Sequence, residues 1–239
     1  MPEPLPPDSQ LLFYTMVKGD EAELGVLLPQ LRRHYPGSTI LVHFDGASTA
    51  LGEALAEHYG APHFVEKRRL YETVYGGELL HGMLERMLAY PAEAMFKIDP
   101  DCHIRRRLKQ LGSTPIFGRL QAKPKMACPQ GGCVGFTRAA AERIVKWGGL
   151  RADGLKGPGY VKFWKSVPKR HPDPEFAGRV VAEIVKRAEQ KGLVSFDWLV
   201  YLAAHHTKQH MSEHPEIGSF WRKLPVDLSK FAITHPHKI

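Results

Sequence analysis

Between residues 11 and 98, short apolar runs alternate with segments of helical periodicity, and this alternation constrains the fold more than any other feature of the chain. LLFYTMVKG (11–19), TILVHF (39–44), PHFVE (62–66) and AMFKI (94–98) have strand length and strand composition. The first intervening segment spaces Asp20 and Glu23 as a capping box and sets Leu24, Leu27, Leu28 and Leu31 at helical intervals. Pro29 has no amide hydrogen to give the preceding turn, so a kink is expected there. A second helix is expected from about Thr49 to Tyr59, stopped by Gly60. A third, GGELLHGMLERMLAY (76–90), carries Leu79, Leu80, Met83, Leu84 and Met87 on one face. The order β-α-β-α-β-α-β predicts an α/β fold with a mostly parallel sheet flanked by helices.

The second half is less regular. PIFGRLQ (115–121) and GGCVGFT (131–137) read as strands, and Thr137 reads as the cap of a helix running to about Trp147. A Gly/Pro/Lys-rich loop follows over 148–176, then helices over about 176–191 and 196–206. Residues 1–10 are Pro-rich and read as a leader, and 239 residues suit one α/β domain over 11–239.

Composition narrows the setting. No apolar run approaches the roughly 18 residues of a membrane span, and MPEPLPPDSQ lacks the basic-then-apolar layout of a signal peptide. Cys102, Cys128 and Cys133 build no disulfide framework, so a reducing, cytoplasmic setting is expected. Beyond Cys128 and Cys133 there is no second thiol pair, so no structural zinc is expected. The net charge of +8 favours anionic partners: nucleic acid, a membrane surface or a phosphorylated ligand. It is also what an ordinary solvated basic surface would have. The positive charges cluster in EKRRL (66–70), HIRRRLK (103–109) and VKFWKSVPKRH (161–171), and the middle cluster directly follows an aspartate pair, which suits phosphate chemistry.

That pair lies in MFKIDPDCHI (95–104), where an apolar strand ends in Asp99-Pro100-Asp101. Open parallel sheets bind ligands beyond the carboxyl ends of their strands, and Asp45, Asp99 and Asp101 all fall at such ends. Carboxylates two residues apart, where a strand opens into a turn, can both face one hard cation and the diphosphate it carries. The plain alternative is a turn and helix cap, and Asp45-Gly46 is itself a common turn dipeptide. A rival cluster, HHTKQHMSEH, spaces His206, His210 and His214 at i, i+4 and i+8. On a helix the outer two would stand roughly 12 Å apart, too far to share one ion, so a solvated helix face is expected. In the 148–176 loop Tyr160, Phe163 and Trp164 alternate with Lys156, Lys162, Lys165 and Lys169. That pattern fits an acceptor-binding lid as well as it fits a plain surface loop.

Asp99-Pro100-Asp101 resembles the Asp-X-Asp motif of the GT-A glycosyltransferases (glycosyltransferase family 2-like). Other segments resemble that family's elements in the same order: FDG (44–46), GGCVGFTRAAAERI (131–144), SFDWLVY (195–201) and ITHPHK (233–238). The resemblance implies a GT-A-like catalytic domain with a nucleotide-binding half over 11–104 and an acceptor-binding half over 105–239. It implies Mn²⁺ or Mg²⁺ held by Asp99, Asp101 and a late histidine. Of His235 and His237, His235 is preferred because it directly follows KFAIT, an apolar run expected to dock as a short strand. It further implies cofactor contacts from Asp45, Asp99 and Lys238, and Asp197 as the base if the enzyme inverts; Asp197 could equally cap its helix. Phe196-Asp197 stands where the family more often has an acidic pair. The implied partners are a UDP- or GDP-sugar donor and a saccharide or lipid-linked hydroxyl acceptor. Peripheral association with an anionic membrane is compatible with this reading, and no nucleic acid is expected.

Two other readings are weighed. A sugar-phosphate nucleotidyltransferase would open with a Gly-rich, Arg-containing loop after its first strand, whereas TMVKGDEAE has one glycine and no arginine. A non-catalytic anion- or nucleic-acid-binding module would rely on the +8 charge, show steep salt dependence and ignore changes at Asp99 or Asp101.

Overall fold

The first four strands lie side by side in the order β3-β2-β1-β4, all parallel: β1 (Leu11–Val17), β2 (Thr39–Asp45), β3 (His63–Glu66) and β4 (Ala94–Ile98). They come from a computed structural model that describes residues 3–71, 75–123, 126–149, 175, 178, 182, 196–220 and 227–235. Three helices make the crossovers: α1 (Glu21–His34), α2 (Ala50–His58) and α3 (Gly76–Leu88). The sheet then continues beyond β4 through β7 (Met126–Thr137), β6 (Ile116–Lys123) and β8 (Met211–Glu213). β7 runs antiparallel to both β4 and β6, whereas β8 is parallel to β6. The expected mostly parallel α/β architecture is therefore a seven-stranded mixed sheet whose parallel half carries the first half of the chain.

β1 shows why the sheet is covered on both sides. Its side chains alternate, so Leu11, Phe13 and Val17 enter one cluster and Leu12 and Tyr14 the other, and all five are fully buried. One face packs on α1 and α2 through Leu24, Leu27, Leu28, Leu31 and Ala56. The opposite face packs on α3, α4 (Arg138–Trp147) and α5 (Phe196–His206) through Leu80, Met83, Ile144, Leu199 and Val200. Each fully buried side chain of this size contributes about 1.5–3 kcal/mol, which holds the strand ends in register.

A second, three-stranded sheet, ordered β5-β10-β9, lies on the α1/α2 side; it comprises β5 (His103–Ile104), β9 (Ile217–Ser219) and β10 (Ile233–His235). Ile104, Ile217 and Ile233 pack into the same cluster as α1. The run ending in His235 thus docks as the short strand expected, antiparallel to β5 and parallel to β9.

Helix ends follow the sequence in part. Thr49 caps α2 by accepting the Gly52 amide at 3.1 Å, and Thr137 caps α4 by accepting the Ala140 amide. Gly60 and Gly148 stop the same helices in the left-handed region, at φ of 58° and 65°. The capping box expected at α1 is not formed, because Asp20 occupies the cap position without a side-chain capping bond. Pro29 sits inside α1, which continues past it to His34. The expected helix over 176–191, apart from residues 178 and 182, lies outside the described residues, as do the aromatic-lysine segment of the 148–176 loop, His237 and Lys238. Among the described residues no helix is long and apolar enough to cross a membrane.

Candidate active site

Strand order changes direction between β1 and β4: the chain builds outward to β2 and β3, then returns to the other side of β1. In open α/β sheets the crevice beyond such a switch point is where ligands bind. Here it is lined by Lys18, Asp45, Tyr71, Asp99, Asp101 and His235. Asp99 and Asp101 leave the end of β4, and the small sheet brings His235 to them from the far end of the chain. Its Nε2 stands 3.0 Å from Asp101 Oδ1 and 3.6 Å from Asp99 Oδ2. Its Nδ1 lies 3.4 Å from Ser219 Oγ on β9.

Two adjacent glycines let the other elements approach. Successive residues of β7 point to opposite sides of the sheet. A Cβ on Gly132 would lie 2.1 Å from the His235 ring, and one on Gly131 would lie 2.4 Å from Asp197 Oδ1. Asp197, in the first turn of α5, directs its carboxylate across to β7 and accepts the Gly131 amide. Burial pushes this carboxyl up to about 6; the Lys97 charge opposes that rise, nearby Asp99 adds to it, and the Gly131 amide and His235 oppose it. Asp101 moves the other way. Burial alone would raise it, but the hydrogen-bonded His235, its own backbone amide and Lys97 together hold it below the usual carboxylate range.

Two residues packed against the candidate site were not anticipated from sequence. Lys97 occupies an interior position of β4, fully buried, with its ammonium on Asp99 Oδ1 and on the Gly131 carbonyl. Burial lowers its basicity, yet Asp99, Tyr71 and Cys102 outweigh that and keep it charged. The available signal was a lysine inside AMFKI, two residues before the first aspartate, because a lysine is almost never fully buried without a partner. Cys102, which directly follows the pair, has a sulfur that lies with an Asp101 oxygen and a His235 nitrogen within 4.8 Å of one another. Its thiol donates to the Gly132 carbonyl at 3.1 Å, and burial pushes it well above the ordinary thiol range.

The donor set suits a hard divalent cation. Octahedral ligation at 2.0–2.1 Å puts neighbouring donor atoms roughly 3 Å apart, close to the spacings His235 makes with the two aspartates. The carboxylate oxygens of Asp99 and Asp101 and the His235 imidazole are donors that accept Mg²⁺ or Mn²⁺.

One other expectation gains detail and two change. Asp45 lines the crevice, but its two oxygens accept the Leu70 and Tyr71 amides at 2.7 and 2.9 Å. Its visible work is to hold Tyr71 against the site. Of the HIRRRLK cluster, Arg106 pairs with Glu216 and the Lys230 carbonyl, and Arg107 pairs with Asp8 and lies over the Tyr35 ring. These arginines fasten the chain together and do not line the crevice. His206, His210 and His214 do not share a helix face, because α5 ends at His206 and Lys208 turns the chain with a positive φ of 53°. His214 is buried, donating from Nε2 to the Gln110 carbonyl at 3.0 Å and accepting the Glu216 amide at Nδ1.

No family model matches this chain, and a search of curated proteins returns no match.

Proposed function

We propose that this protein is a divalent-cation-dependent glycosyltransferase of the GT-A type, which moves a sugar from a nucleotide-sugar donor, UDP- or GDP-linked, to the hydroxyl of a saccharide or lipid-linked acceptor. The observation that carries this reading is the meeting of Asp99 and Asp101 with His235 at the β1/β4 switch point, where the His235 imidazole stands within 3.6 Å of an oxygen of each aspartate. Asp99, Asp101 and His235 would hold Mn²⁺ or Mg²⁺. When bound, the cation supplies Lewis-acid stabilisation of the charge that develops on the leaving nucleoside diphosphate.

The chain's own residues supply the remaining functions. Asp197, in the first turn of α5 and electrostatically coupled to Asp99 and Lys97, has a carboxyl pushed up to about 6, so it is ionised at neutral pH yet still basic enough to take the proton of an acceptor hydroxyl. Tyr71, held by Asp45 and lying under the Lys18 ammonium at 5.2 Å, offers an aromatic wall on the donor side. Cys102 and Cys133 are both free thiols, which fits the proposed reducing, cytoplasmic setting.

The test is hydrolysis and transfer from a panel of nucleotide sugars with and without Mn²⁺, for the wild type and for Asp101→Ala. Cation-dependent turnover that the substitution abolishes is the expected result. Absence of nucleotide-sugar binding with or without metal would overturn the reading. Binding that depends steeply on salt and ignores the substitution would favour the anion-binding module instead.

A further inference from the structure

We infer that Lys97 is the site's resident counter-cation and a positioning residue. It holds one oxygen of Asp99 inward so that the other alone faces an incoming ion, and it balances the clustered carboxylates until that ion arrives. This rests on reading Asp99, Asp101 and His235 as a cation site.

Every contact of the Lys97 side chain supports the assignment. The chain is fully buried between the sheet and α5. Its ammonium reaches Asp99 Oδ1 and the Gly131 carbonyl, lies 4.9 Å from the centre of the Phe196 ring and faces the Tyr71 ring at 5.7 Å. Two aromatic faces and a carbonyl fit a cation and exclude water from it. The two Asp99 oxygens are thereby divided: Oδ1 is engaged by Lys97, while Oδ2 faces His235 at 3.6 Å. The Gly131 residue whose carbonyl binds Lys97 also gives its amide to Asp197, so the lysine lies between the metal-binding acid and the acid of α5. Without that positive charge, Asp99 and Asp197 would lose the buried counter-charge they share.

A purely structural lysine and a resident counter-cation predict opposite outcomes on removal. Losing a structural residue loosens the site and weakens metal binding. Losing a counter-cation removes a like charge that repels Mn²⁺ and frees the second oxygen of Asp99. In Lys97→Met, Mn²⁺ affinity measured by calorimetry is therefore expected to rise by at least about tenfold, and Mn²⁺ should raise the thermal midpoint more than it does in the wild type. Unchanged or weaker affinity in the folded variant overturns the assignment. If Lys97→Met folds only with Mn²⁺ present, or only when Asp197→Asn restores the charge balance, the assignment is supported. If neither restores folding, the role is structural and the assignment falls. Uptake of Mn²⁺ by Lys97→Met but not by the wild type would mean that Lys97 replaces the ion and does not await it, which overturns this assignment together with the metal-dependent reading above. Uptake by neither overturns both.

Discussion

Gly132→Ala tests the site through a single methyl group. The new Cβ would stand 2.1 Å from His235 Nδ1, 2.3 Å from Cγ and 2.8 Å from Cβ, whereas ordinary contact begins near 3.5 Å. The backbone of β7 cannot yield, because the Gly132 carbonyl accepts the Asp99 amide at 2.8 Å and the Cys102 thiol. The imidazole must therefore retreat by more than 1 Å, far beyond the roughly 0.2 Å tolerance of a coordination bond. Overpacking of this kind costs about 1–3 kcal/mol, which against metal binding is roughly a 5- to 150-fold loss of affinity. Calorimetric titration with Mn²⁺ reads that loss, with circular dichroism confirming that the sheet is intact. Gly131→Ala is the matched control: its Cβ meets Asp197 Oδ1 at 2.4 Å on the other side of the sheet. It should leave Mn²⁺ affinity close to the wild-type value and lower turnover instead. A folded Gly132→Ala protein that binds Mn²⁺ like the wild type would refute the placement of His235 as a ligand.

Three further outcomes are expected. A base at Asp197, as proposed, would act only when ionised, so turnover should climb as pH rises through about 6 and level above it; a flat profile between pH 5 and 7 would exclude that role. The same elevated carboxyl has a stability consequence of definite sign. Its folded value lies above the ordinary 3.8, so its contribution is complete below that pH and is lost as pH rises through about 6, on the order of 3 kcal/mol in all. Asp197→Asn should therefore gain stability relative to the wild type from pH 4 to 7, and parallel denaturation curves would contradict this. Away from the site, Arg138 donates to the carbonyls of Leu88, Tyr90 and Ala92 and so ties α4 to the end of α3. Arg138→Ala should lower stability by about 2 kcal/mol, read from the urea midpoint, with Mn²⁺ binding unaltered.

The first half of the fold is legible because its signals are local. Apolar runs of strand length with helical periodicity between them specify four parallel strands, and Thr49, Gly60, Thr137 and Gly148 mark helix ends through their own side chains or backbone freedom. Asp99, Asp101 and His235, which the structure brings to one crevice, were readable as candidates for the same reason: Asp99 and His235 follow apolar runs directly, Asp101 lies two residues beyond, and strand ends are where crevices open. Misreadings arose wherever a distant partner decided the matter. The histidine spacing over 206–214 looked helical, but Lys208 turns the chain and Gln110 claims His214. The arginines of 105–107 looked available to phosphate until Asp8 and Glu216, remote in the chain, engaged two of them.

What the order of residues determined by itself was therefore the alternation of strand and helix, the acidic turn after the fourth strand and the apolar segment that delivers His235. Only the tertiary structure decided that Asp45 would be occupied by the Leu70 and Tyr71 amides, that two glycines of one strand would seat His235 and Asp197 on opposite faces, and that Lys97 would stand between the acids. The physical reason is the range of the interactions. Propensity and periodicity act over a few residues, whereas burial, charge pairing and close approach depend on segments that meet only when the sheet has closed.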